Sequence, residues 1–163
     1  MWPLILLLFS LTLGLGAFFG APYVPTHRRS ILQALELLNL NPGELLLDLG
    51  SGDGRLLAAA GRRGWRAIGY EVNPFWWAIS RLATWRWRER VLLKMIDYNK
   101  ADWPAETKAI YIFGSKLALS RLARKIQNWP RPLIVVSHGF TLPGYKSKRQ
   151  EGAFWLYEIT PRA

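Results

Sequence analysis

Short runs of apolar residues alternate with helical patterns along most of this chain, and this alternation limits the possible folds more than any other feature. The strand-length runs at 45–47, 109–113 and 133–137 are almost entirely apolar. Strands that are apolar on both faces are typical of parallel sheets covered by helices on both sides. The sequence therefore predicts an α/β fold with a Rossmann-like, doubly wound, mostly parallel sheet of about six strands. The other predicted elements are helices at 28–39, 54–63, 74–89 and 115–128 and strands at 67–70, 91–96 and 154–159.

The composition excludes several classes of protein. The chain has 163 residues, no cysteine and two histidines, His27 and His138, which lie far apart in the sequence. Disulfide scaffolds, cysteine-based zinc sites, iron–sulfur clusters and thiol catalysis are therefore excluded, and no metal site is predicted. The formal charge of +11 suits an anionic partner, either nucleic acid or an anionic membrane surface, although a basic face without a dedicated partner is the alternative.

Residues 1–21 are predicted to form a transmembrane anchor. No charged side chain occurs in this stretch, and Ser10 and Thr12 are its polar residues. A helix of about 20 apolar residues spans a hydrocarbon core of roughly 30 Å. A cleaved signal peptide is the competing interpretation, but no basic residue precedes the apolar run, as a signal peptide normally requires. Arg28 and Arg29 follow the run, so the positive-inside rule places the rest of the chain on the cytoplasmic side or its organellar equivalent.

The remainder of the chain divides into a short linker and one domain. Pro22 and Pro25 prevent a helix from continuing past the anchor, so residues 22–27 are predicted to be the linker. Residues 28–163 contain no internal repeat or low-complexity segment and are predicted to fold as a single domain.

The most informative segment is the glycine-rich turn at 48–55, DLGSGDGR, which follows the first predicted strand and opens a helix. Glycines at alternate positions let the backbone turn tightly and approach a ligand closely. Asp48, which precedes them, would repel the pyrophosphate of NAD and attract a cationic ligand. Glu71 and Asp97 end the next two strands, where carboxylates can accept hydrogen bonds from ribose hydroxyls and an adenine amino group. The combination fits S-adenosylmethionine; a plain turn with helix-capping acids is the alternative.

Two motifs, DLGSGDGR at 48–55 and GYEVNP at 69–74, resemble those of class I S-adenosylmethionine-dependent methyltransferases. PYVP at 22–25, the two acids of DYNKAD at 97–102 and IFG at 112–114 are similar, in register, to one group of membrane-anchored protein-lysine methyltransferases. In mitochondria, members of this group methylate lysines of the adenine nucleotide carrier and of the ATP synthase c subunit. The group usually has a tryptophan between the two acids, at the position where this chain has Asn99.

The resemblance implies S-adenosylmethionine as cofactor and a lysine, most readily one of a membrane protein, as methyl acceptor. The residues that it assigns to cofactor binding are Asp48, Gly50, Ser51, Gly52, Gly54, Glu71, Asn73 and Asp97. It assigns Asp102 to orienting the substrate ammonium. Tyr23 is predicted to line the lysine channel, because the linker approaches the carboxyl edge of the sheet. Their alternatives are a turn cap for Asp102 and a headgroup contact for Tyr23. Lysine attacks only as the neutral amine, which its ordinary pKa of about 10.4 makes scarce at pH 7, so the site must favour loss of a proton.

Two other methyltransferase substrates compete with a protein lysine. The charge of +11 favours nucleic acid, but the fourth main strand ends in IFGS rather than in the Asn-Pro-Pro-aromatic turn of amino-directed DNA enzymes. The short chain also leaves little room for a recognition domain, so nucleic acid is not expected. A lipid amine is the second alternative, because the anchor holds the site near headgroups. A scaffold that binds the nucleoside without transferring a methyl group is the non-enzymatic alternative.

The segment 74–89 is rich in tryptophan and arginine. Helical spacing predicts that Phe75, Ile79 and Leu82 form its buried stripe. Its neighbouring face carries Trp77, Arg81, Trp85 and Arg88. Such a face either lies in a membrane interface or covers the core with tryptophan rings and arginine stems.

Overall fold

Strands and helices alternate through residues 27–161, the part of the chain that the structure, a computed structural model, describes. The strands are β1 (Leu45–Leu49), β2 (Arg66–Tyr70), β3 (Val91–Lys94), β4 (Thr107–Phe113), β5 (Leu133–His138), β6 (Arg149–Glu151) and β7 (Phe154–Ile159). The helices are α1 (Arg28–Leu38), α2 (Arg55–Arg62), α3 (Pro74–Thr84) and α4 (Lys116–Lys125), and a 3₁₀ turn (Trp85–Trp87) follows α3.

The strands form one sheet in the order β3-β2-β1-β4-β5-β7-β6. Strands β1 to β5 are parallel, and β7 runs antiparallel between β5 and β6. The predicted Rossmann-like, mostly parallel sheet is therefore confirmed. The sheet has seven strands rather than the predicted number of about six. Strand β6 was not predicted because its three residues, RQE, are polar and too few to give an apolar pattern. The edge at which β1 to β5 end, called here the carboxyl edge, is where doubly wound sheets bind ligands.

Helices cover both faces of the sheet. On one face, α1 and α2 bury Leu35, Leu38 and Leu57 against the strands. On the other face, α4 buries Leu119 and Leu122. Complete burial of a leucine side chain stabilises the fold by about 1.5–3 kcal/mol. The two apolar layers thus fix the strands whose ends form the candidate site.

Helix α3 packs through small polar residues, so the predicted buried stripe is wrong. Phe75 is 43% exposed and Leu82 is 79% exposed, whereas Ser80 and Thr84 are buried. Ser80 lies against Gly54 of the glycine-rich turn, where a larger side chain would not fit. The close approach of α3 to this turn therefore selects small residues on its inner face and turns its apolar residues outward.

The chain enters the described fold at the carboxyl edge. Helix α1 ends in the loop that leads to the start of β1, so its first residue lies toward the opposite end of the sheet. In agreement, Gln33 Nε2 donates to the carbonyl oxygen of Glu151 at 3.4 Å. Glu151 pairs with Phe154, and Phe154 pairs with the last residue of β5, so this contact of α1 lies at the carboxyl edge. The predicted anchor at 1–21 and nearly all of the predicted linker at 22–27 lie outside the described residues. No helix within the described range has the length and apolar character that crossing a membrane requires.

Candidate functional site

The glycine-rich turn leaves β1 at the centre of the carboxyl edge and forms an open cradle. Gly50 and Gly54 have φ angles of 86° and 78°, which side chains rarely adopt. The amides of Gly50 and Ser51 donate to the carbonyl oxygen of Tyr70 at 2.9 and 3.0 Å, which ties the turn to the end of β2. A Cβ atom added at Gly50 would meet nothing within 4 Å, so this position faces open space.

Gly54 is required for packing as well as for its backbone conformation. Gly54→Ala places a methyl group against the backbone and side chain of Ser80, in a backbone conformation that costs an alanine roughly 1–2 kcal/mol. Gly144→Ala is the matched control, because Gly144 has the same φ of 78° and open space around it. We expect Gly54→Ala to lower the free energy of unfolding in urea by about 1–3 kcal/mol more than Gly144→Ala does. Equal losses of unfolding free energy in the two variants would show that α3 can move away from the glycine-rich turn without cost.

Asp48 is a buried carboxylate without a partner in the described part of the chain. It is 2% exposed on β1, and no hydrogen bond or ion pair to a described residue satisfies it. Burial, reinforced by the negative charges of Glu71 and Asp53, raises its pKa from the ordinary 3.8 to about 8. The Oγ atom of Ser51, in the adjoining turn, is also buried without a hydrogen bond. Polar groups left in this state indicate a ligand that supplies a positive charge and hydrogen bonds.

Glu71 joins the glycine-rich turn to the segment that follows β2. Its Oε2 accepts from the amide of Gly52 at 2.9 Å, and its Oε1 accepts from the amide of Asn73 at 2.9 Å. Each carboxylate oxygen has a second lone pair, which can accept from a ligand hydroxyl. Asn73 caps α3, because its side-chain oxygen accepts from the amide of Phe75 at 2.9 Å. The structure thus gives Asn73 the role of helix cap. Its predicted contact with the cofactor stays a prediction.

The paired acids lie in the loop that follows β3. Asp97 Oδ1 accepts from the amide and the side-chain nitrogen of Asn99, at 2.9 and 2.8 Å. Asn99, which stands where the resembling group has tryptophan, therefore holds the first acid in place. Asp102 is exposed at the end of the loop. Burial raises the pKa of Tyr70, and the negative charge of Asp102 raises it further. Burial lowers the pKa of Lys125, and the charge of Asp102 opposes that lowering. Tyr23, the other predicted catalytic residue, lies outside the described residues.

Exposed apolar side chains lie beside these acids. Val72 and Phe75 follow the end of β2, and Met95 and Ile96 follow the end of β3; all four are at least 40% exposed. Sequence reasoning missed them as ligand contacts, although their positions directly after strand ends were the available signal. An apolar surface flanked by Glu71 and Asp97 suits a flat heterocycle with an attached sugar.

The carboxyl edge therefore presents a line of carboxylates, with Asp48 at β1, Glu71 at β2 and Asp97 after β3, as the sequence predicted. The charge of Glu71 adds to burial in raising the pKa of Asp48, so these two are brought together. The charges of Asp97 and Asp102 both raise the pKa of Lys125, so both carboxylates lie near the same ammonium. No cluster of three or more histidine, cysteine or acidic residues that could hold a metal occurs in residues 27–161. The edge suits an elongated organic ligand that is cationic at one end.

The sequence of this region matches a known family. The ANTKMT methyltransferase domain aligns with residues 48–149, which include the glycine-rich turn and all the predicted acids. The chain belongs to the ANTKMT methyltransferase family. It is 42% identical over 109 residues to the ATP synthase c-subunit lysine N-methyltransferase of Homo sapiens, covering 65% of this chain and 46% of the relative. It is 33% identical over 148 residues to the adenine nucleotide translocase lysine N-methyltransferase of Mus musculus, covering 85% and 63%. The chain thus spans about half to two thirds of the length of these relatives.

Solved structures confirm the class I methyltransferase fold of this ANTKMT family member. An RNA methyltransferase from Salinibacter ruber, in complex with S-adenosyl-L-homocysteine, superposes with a TM-score of 0.77 at 26% identity, over 86% of this chain and 95% of that one. A precorrin-6y C5,15-methyltransferase from Geobacter metallireducens superposes with a TM-score of 0.68 at 16% identity, over 86% and 93%. The second likeness concerns the fold alone.

Proposed function

We propose that this chain is an S-adenosylmethionine-dependent protein-lysine N-methyltransferase that acts on a membrane protein. The observation that carries the proposal is the buried, unpartnered Asp48 at the centre of the carboxyl edge, beside a turn that is open to a ligand. Membership of the ANTKMT methyltransferase family supports the reaction type, and the names of the relatives support lysine as the acceptor.

The described residues fit S-adenosylmethionine. Asp48 would pair with the cofactor amino group, since a buried carboxylate gains most from a cation. Glu71 would accept from the ribose hydroxyls with its free lone pairs, and Asp97 from the adenine amino group. Val72 and Ile96 would contact the faces of the adenine. When bound, the cofactor would supply a methyl group on a positively charged sulfur, which would leave as a neutral thioether when an amine takes the methyl group.

The protein must present a lysine as its neutral amine to that methyl group. Asp102 is the candidate for orienting the incoming lysine, since it is exposed at the carboxyl edge. Tyr23 is the candidate for lining the channel, because α1 begins at the same edge and the linker leads there. Placing the nitrogen in line with the methyl carbon is the main requirement in a displacement of this kind.

The membrane is the proposed location of the substrate. We propose that residues 1–21 anchor the protein and that the folded domain lies on the cytoplasmic side or its organellar equivalent, since Arg28 and Arg29 follow the apolar segment directly. Both arginines are exposed at the start of α1, where they would meet anionic headgroups. The anchor would thereby turn the carboxyl edge toward the bilayer.

An RNA methyltransferase is the second candidate. The observation in its favour is the Salinibacter ruber structure, which is described as an RNA methyltransferase and matches this chain over most of its length. The charge of +11 also suits RNA. The lysine methyltransferases are preferred because their sequence identity to this chain, 42% and 33%, exceeds the 26% of that structure.

Methyl transfer to separated fractions distinguishes these functions. The full chain, solubilised in mild detergent, is incubated with radiolabelled S-adenosylmethionine and membrane protein, lipid or RNA. We expect label in membrane protein, recovered as methyllysine after acid hydrolysis. Label confined to lipid or RNA would contradict the lysine proposal while retaining methyl transfer. Calorimetry that detects NAD binding and no binding of S-adenosylmethionine would contradict the methyltransferase itself.

A further inference from the structure

The side chain of Lys125 ends inside the loop that carries the paired acids. Lys125 is the last residue of α4, and its Nζ donates to three main-chain carbonyl oxygens: Tyr98 at 2.9 Å, Asn99 at 3.0 Å and Ala101 at 2.7 Å. A lysine ammonium has three N–H donors, so the loop uses all of them. The contact spans 24–27 positions of the sequence and joins α4 to residues 97–102.

The loop 97–102 has few hydrogen bonds of its own. It contains neither helix nor strand, and its own main-chain hydrogen bonds, from the amides of Lys100 and Ala101, both end at the carbonyl oxygen of Asp97. Beside these, the amide of Asn99 donates to Asp97 Oδ1 and Trp103 Nε1 donates to the carbonyl oxygen of Tyr98 at 3.1 Å. Three carbonyl dipoles that point at one spot repel one another unless a cation occupies it. The ammonium of Lys125 is that cation, and it also lies 4.4 Å from the ring centroid of Trp103, within range of a cation–π interaction.

Two carboxylates partly offset the cost of burying the Lys125 ammonium. Burial lowers the pKa of Lys125 on balance, and the charges of Asp102 and Asp97 oppose that lowering. A methionine would fill the same volume but could not donate a hydrogen bond, and a lysine without this role would extend into water. The contact therefore requires a cationic side chain that donates hydrogen bonds.

We propose that Lys125 is a positioning residue that clamps loop 97–102, so that Asp97 and Asp102 are held ready for cofactor and substrate. The inference rests on the proposed function for what the two acids contact. The clamp itself is independent of that function, because it concerns the order of the loop.

Two measurements on Lys125→Met in the full chain test the clamp. Hydrogen exchange at the amides of Lys100 and Ala101 should become at least tenfold faster, while exchange in β5 stays unchanged. Binding of S-adenosylhomocysteine, measured by calorimetry, should weaken 10- to 100-fold. Lys146→Met is the matched control, since Lys146 is exposed in another loop, and both readouts should stay within twofold of the original protein.

Chemical rescue tests whether a primary ammonium at this position restores what Lys125→Met loses. The chain contains no cysteine, so Lys125→Cys creates a single thiol. Its thiolate displaces bromide from 2-bromoethylamine to give a side chain of lysine length with a primary ammonium. The same reaction with (2-bromoethyl)trimethylammonium gives a fixed positive charge without N–H donors. Alkylation in denaturant before refolding makes the comparison independent of the stability of the unmodified K125C protein.

We expect the primary ammonium to restore slow exchange and tight binding, and the trimethylammonium to restore neither. Equal rescue by both reagents, or unchanged exchange at Lys100 and Ala101 in Lys125→Met, would overturn the clamp. If the original protein binds no S-adenosylhomocysteine, the proposed function fails, and the exchange measurement alone still decides whether Lys125 orders the loop.

Discussion

Asp48→Asn is expected to weaken S-adenosylhomocysteine binding about 10- to 150-fold and to stabilise the cofactor-free protein at alkaline pH. The first effect follows from loss of a charge-assisted hydrogen bond, which contributes about 1.5–3 kcal/mol. The second follows from burial, which raises the pKa of Asp48 from 3.8 to about 8. Because the folded protein holds this proton more tightly than the unfolded chain, its stability falls as pH rises from about 4 to 8.

The asparagine removes this loss because it carries no charge to bury. Each unit of raised pKa corresponds to about 1.36 kcal/mol, so recovery of a single unit raises Tm by roughly 3–5 °C. We expect this difference in thermal unfolding to grow as the pH rises above about 4 and to be largest at pH 9. Glu106→Gln is the control, because Glu106 is an exposed carboxylate paired with Arg66 across 3.5 Å. Its pH dependence should match that of the original protein.

Proton release gives an independent measure of the same residue. Asp48 is largely protonated below pH 8 in the free protein and must ionise to pair with a cationic ligand. Calorimetry between pH 6 and 7.5, in buffers of different ionisation enthalpy, should detect close to one proton released on binding, and none for Asp48→Asn. Equal proton release by both proteins would show that Asp48 does not carry the charge that binds the ligand.

The fold and the positions of the glycine-rich turn and the acids at the carboxyl edge were predictable from the sequence because their determinants are local. The apolar runs defined β1, β4 and β5, and the glycine-rich turn and the strand-end acids followed directly from strand positions. The N-cap role of Asn73 also has a local signature, since Asn73 precedes Pro74 at the start of α3. Such features need only neighbouring residues to be recognised.

The features that sequence reasoning missed depend on long-range contacts. Lys125 lies at the end of an amphipathic helix, where basic residues are common, so its sequence position gives no sign of a special role. Its three carbonyl partners come from loop 97–102, which is distant in the sequence and close in the fold. The inner face of α3 was misassigned because the glycine-rich turn, more than 20 positions away, admits Ser80 and excludes larger residues. Helical periodicity identifies the apolar face of a helix, but it does not show which neighbouring element packs against the opposite face.

Deletion of residues 2–21 is expected to reduce methylation of a membrane-embedded substrate by about 10²- to 10⁴-fold at low enzyme concentration, without changing cofactor affinity. The linker at 22–27 reaches at most about 3.3–3.6 Å per residue, and the chain enters the fold at the carboxyl edge, so the anchor would hold the active site within roughly 20 Å of the bilayer. Tethering of this kind raises the effective concentration of substrate and creates no new contact. The loss should therefore diminish as the enzyme concentration increases.

An unrelated transmembrane helix in place of residues 1–21, inserted in the same orientation, separates tethering from specific recognition. We expect it to restore methylation of radiolabelled membrane fractions to within a few-fold of the original protein, because the linker and the carboxyl edge are unchanged. Failure of this chimera, with normal membrane insertion, would indicate that the native anchor itself contacts the substrate. If the truncated protein instead methylates soluble proteins or RNA better than the full chain methylates membranes, a lysine on a membrane protein is not the acceptor.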